Sequence, residues 1–216
     1  MKKQLATLLF ITALTAIGCK DKAKEAKTTE AEAPAVTEST SESYKANVET
    51  STIEWKGFKP TGEHFGTIGL ESGLFDVVDG KIVGGSFIID MKSIKVTDIP
   101  AEDEKNAKLV GHLKNADFFD VENHPSAIFT ITGVEEVEGK TMLSGNLTIK
   151  EVKNNITFPV SVSQTGDGIT LKSETFTIDR SKWNVKYGSK SFFDDLGDKF
   201  INDDIELRVS VTATKA

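Results

Sequence analysis

From residue 44 onward, apolar and polar side chains alternate along the chain in a series of short runs. The clearest run is IELRVSVTA at 205–213, in which every second residue is apolar. Alternation with a period of two puts one face of a strand against a core and the other in water, as in antiparallel sheets. Eight strands are predicted in this way, at 44–58, 64–78, 80–92, 125–137, 141–150, 155–164, 169–179 and 203–213.

Turn-forming residues separate most of these runs. Asp79-Gly80 and Glu138-Gly139 each stand between two predicted strands, and the sequences KNN at 153–155 and GDG at 166–168 also mark turns. Short connections of this composition are typical of hairpins between antiparallel neighbours. Most of the predicted strands are therefore expected to pair with the strand that follows them.

Two connections are longer than a hairpin turn. Residues 102–114, between the third and fourth strands, are predicted as a short helix, and residues 181–202 as an irregular loop before the last strand. With so little helix available, the apolar strand faces must cover one another, either as two packed sheets or as a closed barrel. The hairpin connections favour an all-β, eight-stranded, antiparallel up-and-down barrel.

The interior of such a barrel is wide enough for packed side chains or for one small ligand. Strand parity gives the candidates for this interior. They are Trp55, Phe87, Ile89, Met91, Phe129, Ile131, Leu147, Phe158 and Phe176. Two adjacent aromatic pairs, Phe118-Phe119 and Phe192-Phe193, fall in connections, which lie near the mouths of a barrel. There they could line the entrance for an apolar ligand, or close the barrel end as ordinary core.

The first residues predict export and lipidation. A basic start, MKK, precedes an uncharged apolar run at 5–17 that is too short to span a bilayer, as in a secretory signal peptide at 1–18. The run ends in AIGC, which resembles the lipobox of bacterial lipoproteins. Cys19 is the only cysteine of the chain, so it cannot form an internal disulfide, and we expect it to carry the lipid. The alternative is an ordinary secretory signal that leaves a stray cysteine.

The residues after Cys19 differ in composition from the rest of the chain. The stretch at 20–43 consists mainly of Lys, Glu, Ala, Ser and Thr, with no aromatic residue. A segment of this kind buries too little apolar surface to offset its conformational entropy. Residues 19–43 are therefore predicted to be a lipidated cysteine with a disordered tether, followed by one domain at 44–216.

Charge and motif content narrow the chemistry. The net charge of −7 gives no electrostatic attraction to nucleic acid. His64, His112 and His124 lack the spacing of metal ligands, and the acidic residues at 194–204 lack the spacing of a calcium loop. The nucleophile motif G-x-S-x-G is absent. We therefore predict no metal, no catalytic residues and no enzymatic activity.

Several motifs, in order, resemble those of the YceI-like family. They are IEWKG at 53–57, HFGTI at 64–68, SFIIDMKSI at 86–94, HLKNADFFDV at 112–121 with HP at 124–125, and GNLTIK at 145–150. The resemblance covers about 44–216. It implies a lipocalin-like barrel with an apolar tube, in a periplasmic or secreted protein, and the late loop at 187–198 is similar to that of the lipoprotein branch.

The resemblance also implies a ligand. It indicates no cofactor as such, but a bound polyisoprenoid, quinone or fatty-acid-like lipid in the tube, contacted by the interior residues and by the two aromatic pairs. The predicted protein is a lipid carrier held to a membrane on the periplasmic face or the cell surface, with a homodimer left open. Two alternatives remain: a filled barrel that acts as a structural or protein-interaction module, and an enzyme acting on a lipid-like substrate.

Overall fold

The computed structural model describes residues 23–36 and 40–216; the predicted signal peptide and Cys19 lie outside these ranges. The described chain is predominantly β. Its strands are β1 (Lys24–Glu25), β2 (Lys27–Glu30), β3 (Glu42–Ala46), β4 (Thr52–Lys59), β5 (Gly62–Val78), β6 (Lys81–Val96), β7 (Ser126–Val137), β8 (Lys140–Ile149), β9 (Val152–Thr165), β10 (Gly168–Ser173), β11 (Phe176–Asp179) and β12 (Asp204–Lys215). One α-helix is described, α1 (Glu104–Lys114), together with 3-10 turns at Arg180–Trp183 and Gly197–Lys199. Across these ranges no helix has the length and apolar character needed to cross a membrane.

Eight of the strands form a closed ring. Its order is β4-β5-β6-β7-β8-β9-β10-β12, and β12 pairs back onto β4. Every neighbouring pair in the ring is antiparallel. β3 pairs with both β5 and β12 at one end, and β11 pairs with β12 at the other. The predicted all-β antiparallel fold is confirmed in this form, as a ring of eight strands with one helix.

Two predicted strands are each divided in the structure. The first, at 44–58, becomes β3 and β4, because the Asn47 side chain accepts hydrogen bonds from the Glu49 and Thr50 amides and so makes a turn. The seventh, at 169–179, becomes β10 and β11. There the Ser173 hydroxyl accepts a hydrogen bond from the Val209 amide at 2.8 Å, in place of a continuous ladder.

Three hairpins close with two-residue turns in the left-handed region. Asp79-Gly80 and Glu138-Gly139 form two of them, as predicted, with φ between 50° and 76°. The third, between β8 and β9, is Lys150-Glu151, with φ values of 47° and 66°. The turn predicted at 153–155 was therefore placed wrongly. Lys and Glu carry no turn signal, so the residue types gave no indication of this hairpin.

The predicted helix is present as α1, two residues shorter than expected. Asp103 caps its N-terminus, because the carboxylate accepts a hydrogen bond from the Lys105 amide at 2.9 Å. The Asn106 side chain donates to the carbonyls of Val96 and Ile99, which ties the helix to the end of β6. Leu113 is buried under the helix against the ring.

The prediction of a disordered tether is wrong for the N-terminal segment, which we define as residues 23–36. β1 runs parallel to β11, with Lys24 opposite Phe176, and β2 runs antiparallel to β9, with Thr28 opposite Ile156. Composition favoured disorder because the segment has little apolar surface to bury. It is ordered because it lies between two strand edges whose backbone groups supply its hydrogen-bond partners.

Candidate functional site

The ring of strands encloses an apolar cavity of about 160 Å³. Thirty-two residues line it, drawn from the strands of the ring, from β11, from α1 and from the two long connections. Arg180 is the only charged residue among them. A cavity with this lining stays dry, because it offers almost no partners to a water molecule, and it favours hydrocarbon.

Ten of the thirteen residues predicted for the ligand site line this cavity. They are Trp55, Phe87, Ile89, Met91, Phe118, Phe119, Phe129, Leu147, Phe158 and Phe176. Strand parity thus identifies the inner face correctly on six strands. That these residues bind a ligand stays a prediction.

The other three predicted residues lie elsewhere. Ile131 is 1% exposed and packs in the core without lining the cavity. Phe192 and Phe193 are 40% and 48% exposed, because their amides donate to the Ser189 carbonyl in a surface turn. Within the same loop, Trp183 and Val185 are fully buried and line the cavity.

A large part of the wall was not predicted as a site. β12 contributes an inner face of which no residue was predicted, and Ile53 of β4 and Phe75 of β5 also line the cavity. The residues are Ile53, Phe75, Ile205, Leu207, Val209 and Val211. The four residues of β12 could have been predicted, because the run at 205–213 alternates without interruption. Phe75 contacts Phe87 edge to face at 4.7 Å between ring centroids, which fixes both rings in the wall.

Two glycines make room for aromatic rings of the wall. Gly73 lies opposite Phe87 in the β5–β6 ladder, and a Cβ built on it would overlap the Phe87 ring. Gly145 of β8 lies opposite Ile131, and a Cβ built on it would overlap the ring of Phe129, two residues along the same strand. In both places the absence of a side chain on the glycine leaves room for the ring.

Arg180 joins the late loop to one end of the cavity. Its guanidinium is 1% exposed and donates to the carbonyls of Val185 at 2.7 Å, Ile201 at 3.1 Å and Asn202 at 3.1 Å. It pairs with Asp203 at 3.3 Å. Burial lowers the pKa of Arg180, while Asp203 and Asp179 act in the opposite direction.

The guanidinium of Arg180 also lies over the ring of Phe118, with 5.3 Å between its central carbon and the ring centroid. Since its hydrogen bonds go to backbone carbonyls and Asp203, it holds the loop rather than presenting charge to the cavity. No sequence pattern predicted this role, because its partners lie 5–23 residues further along an irregular loop.

The cavity end near α1 is closed by aromatic side chains. Phe118 and Phe119 contact each other at 5.0 Å between centroids, and His112 lies against Phe118 and Tyr187. The Lys150 ammonium donates to the Phe118 carbonyl at 3.0 Å and fixes this connection to the β8–β9 hairpin. The first aromatic pair therefore lies at the cavity as predicted, whereas the second does not.

The remaining histidines make ordinary polar contacts. His64 Nδ1 lies 2.8 Å from Asp98 Oδ2, and His124 Nε2 lies 3.7 Å from Asp120 Oδ2. Among residues 23–36 and 40–216, no three His, Cys, Asp or Glu side chains come together in a group that could hold a metal ion. What the cavity itself offers is an apolar lining, which suits an apolar molecule.

Comparison with known proteins identifies the family. The profile of the YceI-like domain matches residues 44–213. The chain belongs to the YceI-like family. None of the curated proteins compared matches this chain.

Two solved structures are similar in fold to this YceI-like chain. BcnA of Burkholderia cenocepacia is 21% identical, with a TM-score of 0.57 over 78% of this chain and 99% of that one. A polyisoprenoid binding domain from Saccharophagus degradans, implicated in plant cell wall breakdown, is 12% identical, with a TM-score of 0.57 over 80% of this chain and 98% of that one. At these identities the likeness concerns the fold alone.

Proposed function

We propose that this protein is a lipoprotein of the bacterial cell envelope, whose lipocalin-like barrel carries or sequesters an isoprenoid or similar amphiphilic lipid. The ring of eight strands is the wall of an up-and-down barrel, and the apolar cavity is its binding tube. Cys19 carries the anchoring lipid on the periplasmic face or the cell surface. No catalytic step is part of this function.

The apolar cavity is the observation that carries the proposal. At roughly 24 cal/mol per Å³, an empty cavity of 160 Å³ costs the fold about 4 kcal/mol. A core with a purely structural role gains stability by filling such a space. Here the two rings that touch Gly73 and Gly145, those of Phe87 and Phe129, belong to the lining and leave the space unfilled. An apolar ligand would regain the lost contacts.

The cavity is smaller than the pockets of about 300–1,000 Å³ that hold most small ligands. A polyisoprenoid chain therefore needs the flexible side chains of the wall to move aside. Met91, Leu113 and Phe119 line the cavity, and in this proposal rotation of their side chains makes room for the chain. A named polyisoprenoid-binding domain of the same fold supports this ligand class.

Native mass spectrometry with solvent extraction tests the ligand. The purified protein should begin no later than Lys20, because residues 23–36 pack on the wall. The expected result is a stoichiometric additional mass that extracts as a polyprenol, a quinone or a fatty-acid-like lipid. A mass equal to that of the bare chain, together with no uptake of added octaprenol, would leave the filled-barrel alternative in place.

Anchoring is tested separately in cells. Labelling with a radioactive or alkyne-bearing fatty acid should mark the full-length chain in the membrane fraction. Cys19→Ser should abolish the label and release the protein from that fraction. Equal labelling of both forms would refute lipidation at this residue without affecting the ligand.

A further inference from the structure

The cavity wall has a gap in its strand pairing between β9 and β11, which we call the seam. β10 pairs with β9 as far as Ser173 opposite Val160, and the next strand along, β11, pairs with β12 instead. Among the described strands, no ladder joins β11 to β9 across the wedge between them. The N-terminal segment fills this wedge, with Lys24–Glu25 paired to β11 and Lys27–Glu30 paired to β9.

The seam lies directly against the cavity. Ile156 and Phe158 on the β9 side, and Phe176 and Ile178 on the β11 side, all line it. The rings of Phe158 and Phe176 stack across the narrow end of the wedge, with 4.1 Å between their centroids. At the wide end, the 3-10 turn Arg180–Trp183 also reaches β9, where the Asn154 side chain donates to the Lys182 carbonyl at 2.9 Å. Between these two ends, the N-terminal segment bridges the two strand edges. Without it, this part of the wedge would lose its outer cover.

The N-terminal segment is held almost entirely by polar contacts. Ala26 is its one buried apolar residue, at 4% exposed. The Asn146 side chain donates to the Glu32 carbonyl at 2.7 Å and accepts from the Glu32 amide at 3.0 Å. Lys182 pairs with Glu25 at the surface. Water can replace each of these polar partners, so detaching the segment exposes little hydrocarbon of its own.

The surface beneath the segment is polar as well. Asn146, Asn155 and Thr177 are 4%, 1% and 0% exposed, although they lie on strands whose other face lines the cavity. Their side chains would be hydrated at once if the segment moved away. At the seam, both the N-terminal segment and the strand surface beneath it are polar, and only the cavity side is apolar. The segment can therefore detach locally while the rest of the wall stays paired.

The end of the ring near α1, which adjoins the wide end of the wedge, is closed more firmly. Trp183 and Val185 are fully buried there, and Arg180 fastens the late loop by three carbonyl hydrogen bonds and an ion pair. Opening this end would leave a buried charge without its partners. Detaching the N-terminal segment exchanges backbone and amide hydrogen bonds and the exposed Lys182–Glu25 ion pair with water, and exposes Ala26.

We infer that residues 23–30 form a removable strand of the cavity wall, and that the wedge it covers is the side entrance through which an apolar chain enters and leaves. This inference rests on the proposed lipid-binding function and adds the route. The ligand class that fits is a long, unbranched or isoprenoid hydrocarbon chain, because such a chain can pass sideways between two strands. The removable strand also lies four residues after Cys19, so an anchored protein would hold the entrance close to the bilayer.

A reversible cross-link tests the route. Lys27 and Thr157 are directly opposite in the β2–β9 ladder, where Cα atoms are about 4.5–5.5 Å apart and within reach of a disulfide. The double variant Lys27→Cys/Thr157→Cys is made in the full-length chain carrying Cys19→Ser, so that the new cysteines can pair only with each other. Octaprenol transfer is followed from vesicles of phosphatidylethanolamine and phosphatidylglycerol, with the same protein oxidised and reduced.

The expected result is that oxidation slows both uptake and release of octaprenol by about tenfold or more, and that a reductant restores the rates. The matched control is Glu136→Cys/Thr141→Cys, which cross-links a hairpin that is already continuous in the wall. Its rates should not depend on oxidation. Equal rates for the oxidised and reduced seam variant would refute the side entrance alone. Failure of both forms to take up octaprenol would refute lipid binding, and the entrance with it.

Discussion

The rings of Phe158 and Phe176 lie parallel, with an interplanar angle of 11°, on two strands that share no ladder. This stack joins β9 to β11 on the cavity side, while the N-terminal segment joins them on the outside. The two connections differ in kind, because one is an aromatic contact and the other a set of backbone hydrogen bonds. Each can therefore be weakened without changing the other directly.

Phe176→Leu should weaken the inner connection. The leucine keeps an apolar side chain in the wall but loses the stacked ring, so we expect the free energy of unfolding to fall by about 1–3 kcal/mol. Chemical denaturation measures the loss. Phe193→Leu is the matched control, because Phe193 is 48% exposed, and it should change stability by less than about 0.5 kcal/mol. Equal effects of the two changes would contradict the packing described for the seam.

Ala127→Phe should fill the cavity. Ala127 lines it from β7 and is 3% exposed, so a ring added there occupies space that a lipid would need. We expect co-purified lipid and octaprenol uptake to be lost, with a stability change within about 3 kcal/mol in either direction. Native mass spectrometry and the melting temperature report the two effects separately.

The neighbouring residue provides the control for this experiment. Ile128 is 41% exposed on the other face of the same strand, so Ile128→Phe adds the same kind of bulk outside the cavity. It should leave lipid binding unchanged. If Ala127→Phe still bound octaprenol at full occupancy, the cavity would not be the binding tube.

The alternation of residue types was enough to predict the ring and most of its inner face. Phe87, Phe129 and Phe158 were placed correctly because a period of two leaves one choice of face once a strand is recognised. The same reasoning could not reach Phe192 and Phe193, since a turn in an irregular loop has no fixed face. Alternation assigns a side chain to a face only along a strand, and residues 181–202 form a loop.

The N-terminal segment was missed for a different physical reason. Lys27 and Thr28 join β9 through their backbone, and the backbone is the same in every sequence. The partner that could have indicated the contact is Asn146, a buried amide more than a hundred residues away. Arg180 is a similar case, because its hydrogen-bond acceptors are backbone carbonyl groups of a loop. Contacts of this kind become visible only in three dimensions.

Asn146→Ala should free the second half of the N-terminal segment. The change removes both hydrogen bonds to Glu32 and one to Asn155. We expect faster amide hydrogen exchange at 27–35 and a loss of about 1–3 kcal/mol in the free energy of unfolding. Ser144→Ala on the same strand is the control, since Ser144 bonds to Thr157 and makes no contact with Glu32. Unchanged exchange at 27–35 would show that Asn146 does not hold the segment.

Arg180→Met should destabilise the late loop strongly. It leaves one buried and two part-buried carbonyls without their donor and Asp203 without its ion pair, for an expected loss of about 3–5 kcal/mol. Arg208→Met is the matched control, because Arg208 is exposed and pairs with Glu54 at the surface. There the expected loss is below about 1 kcal/mol. Thermal unfolding compares the two, and a loss of similar size in both would contradict the role assigned to Arg180.

Asp98→Asn should make the free energy of unfolding less dependent on pH in the acidic range. Burial raises the pKa of the Asp98 carboxyl, but hydrogen bonds from the Phe65 amide and the His64 ring outweigh it, so the net pKa lies below its ordinary value. Since the unfolded chain has a pKa of about 3.9, the carboxylate stabilises the fold above about pH 4. That stabilisation is lost as the pH falls through the lower, folded-state pKa.

The variant should therefore be less stable than the parent by about 1–2 kcal/mol near neutral pH, and the difference should shrink as the pH falls below about 4. Denaturation curves at several pH values measure it, with the exposed Glu122→Gln as a control for the loss of one charge. A stability difference that stayed constant from neutral to acidic pH would mean that ionisation of Asp98 contributes nothing to stability. A stability difference that grew on acidification would indicate that folding raises the pKa of Asp98, because a raised folded-state pKa stabilises the protonated form.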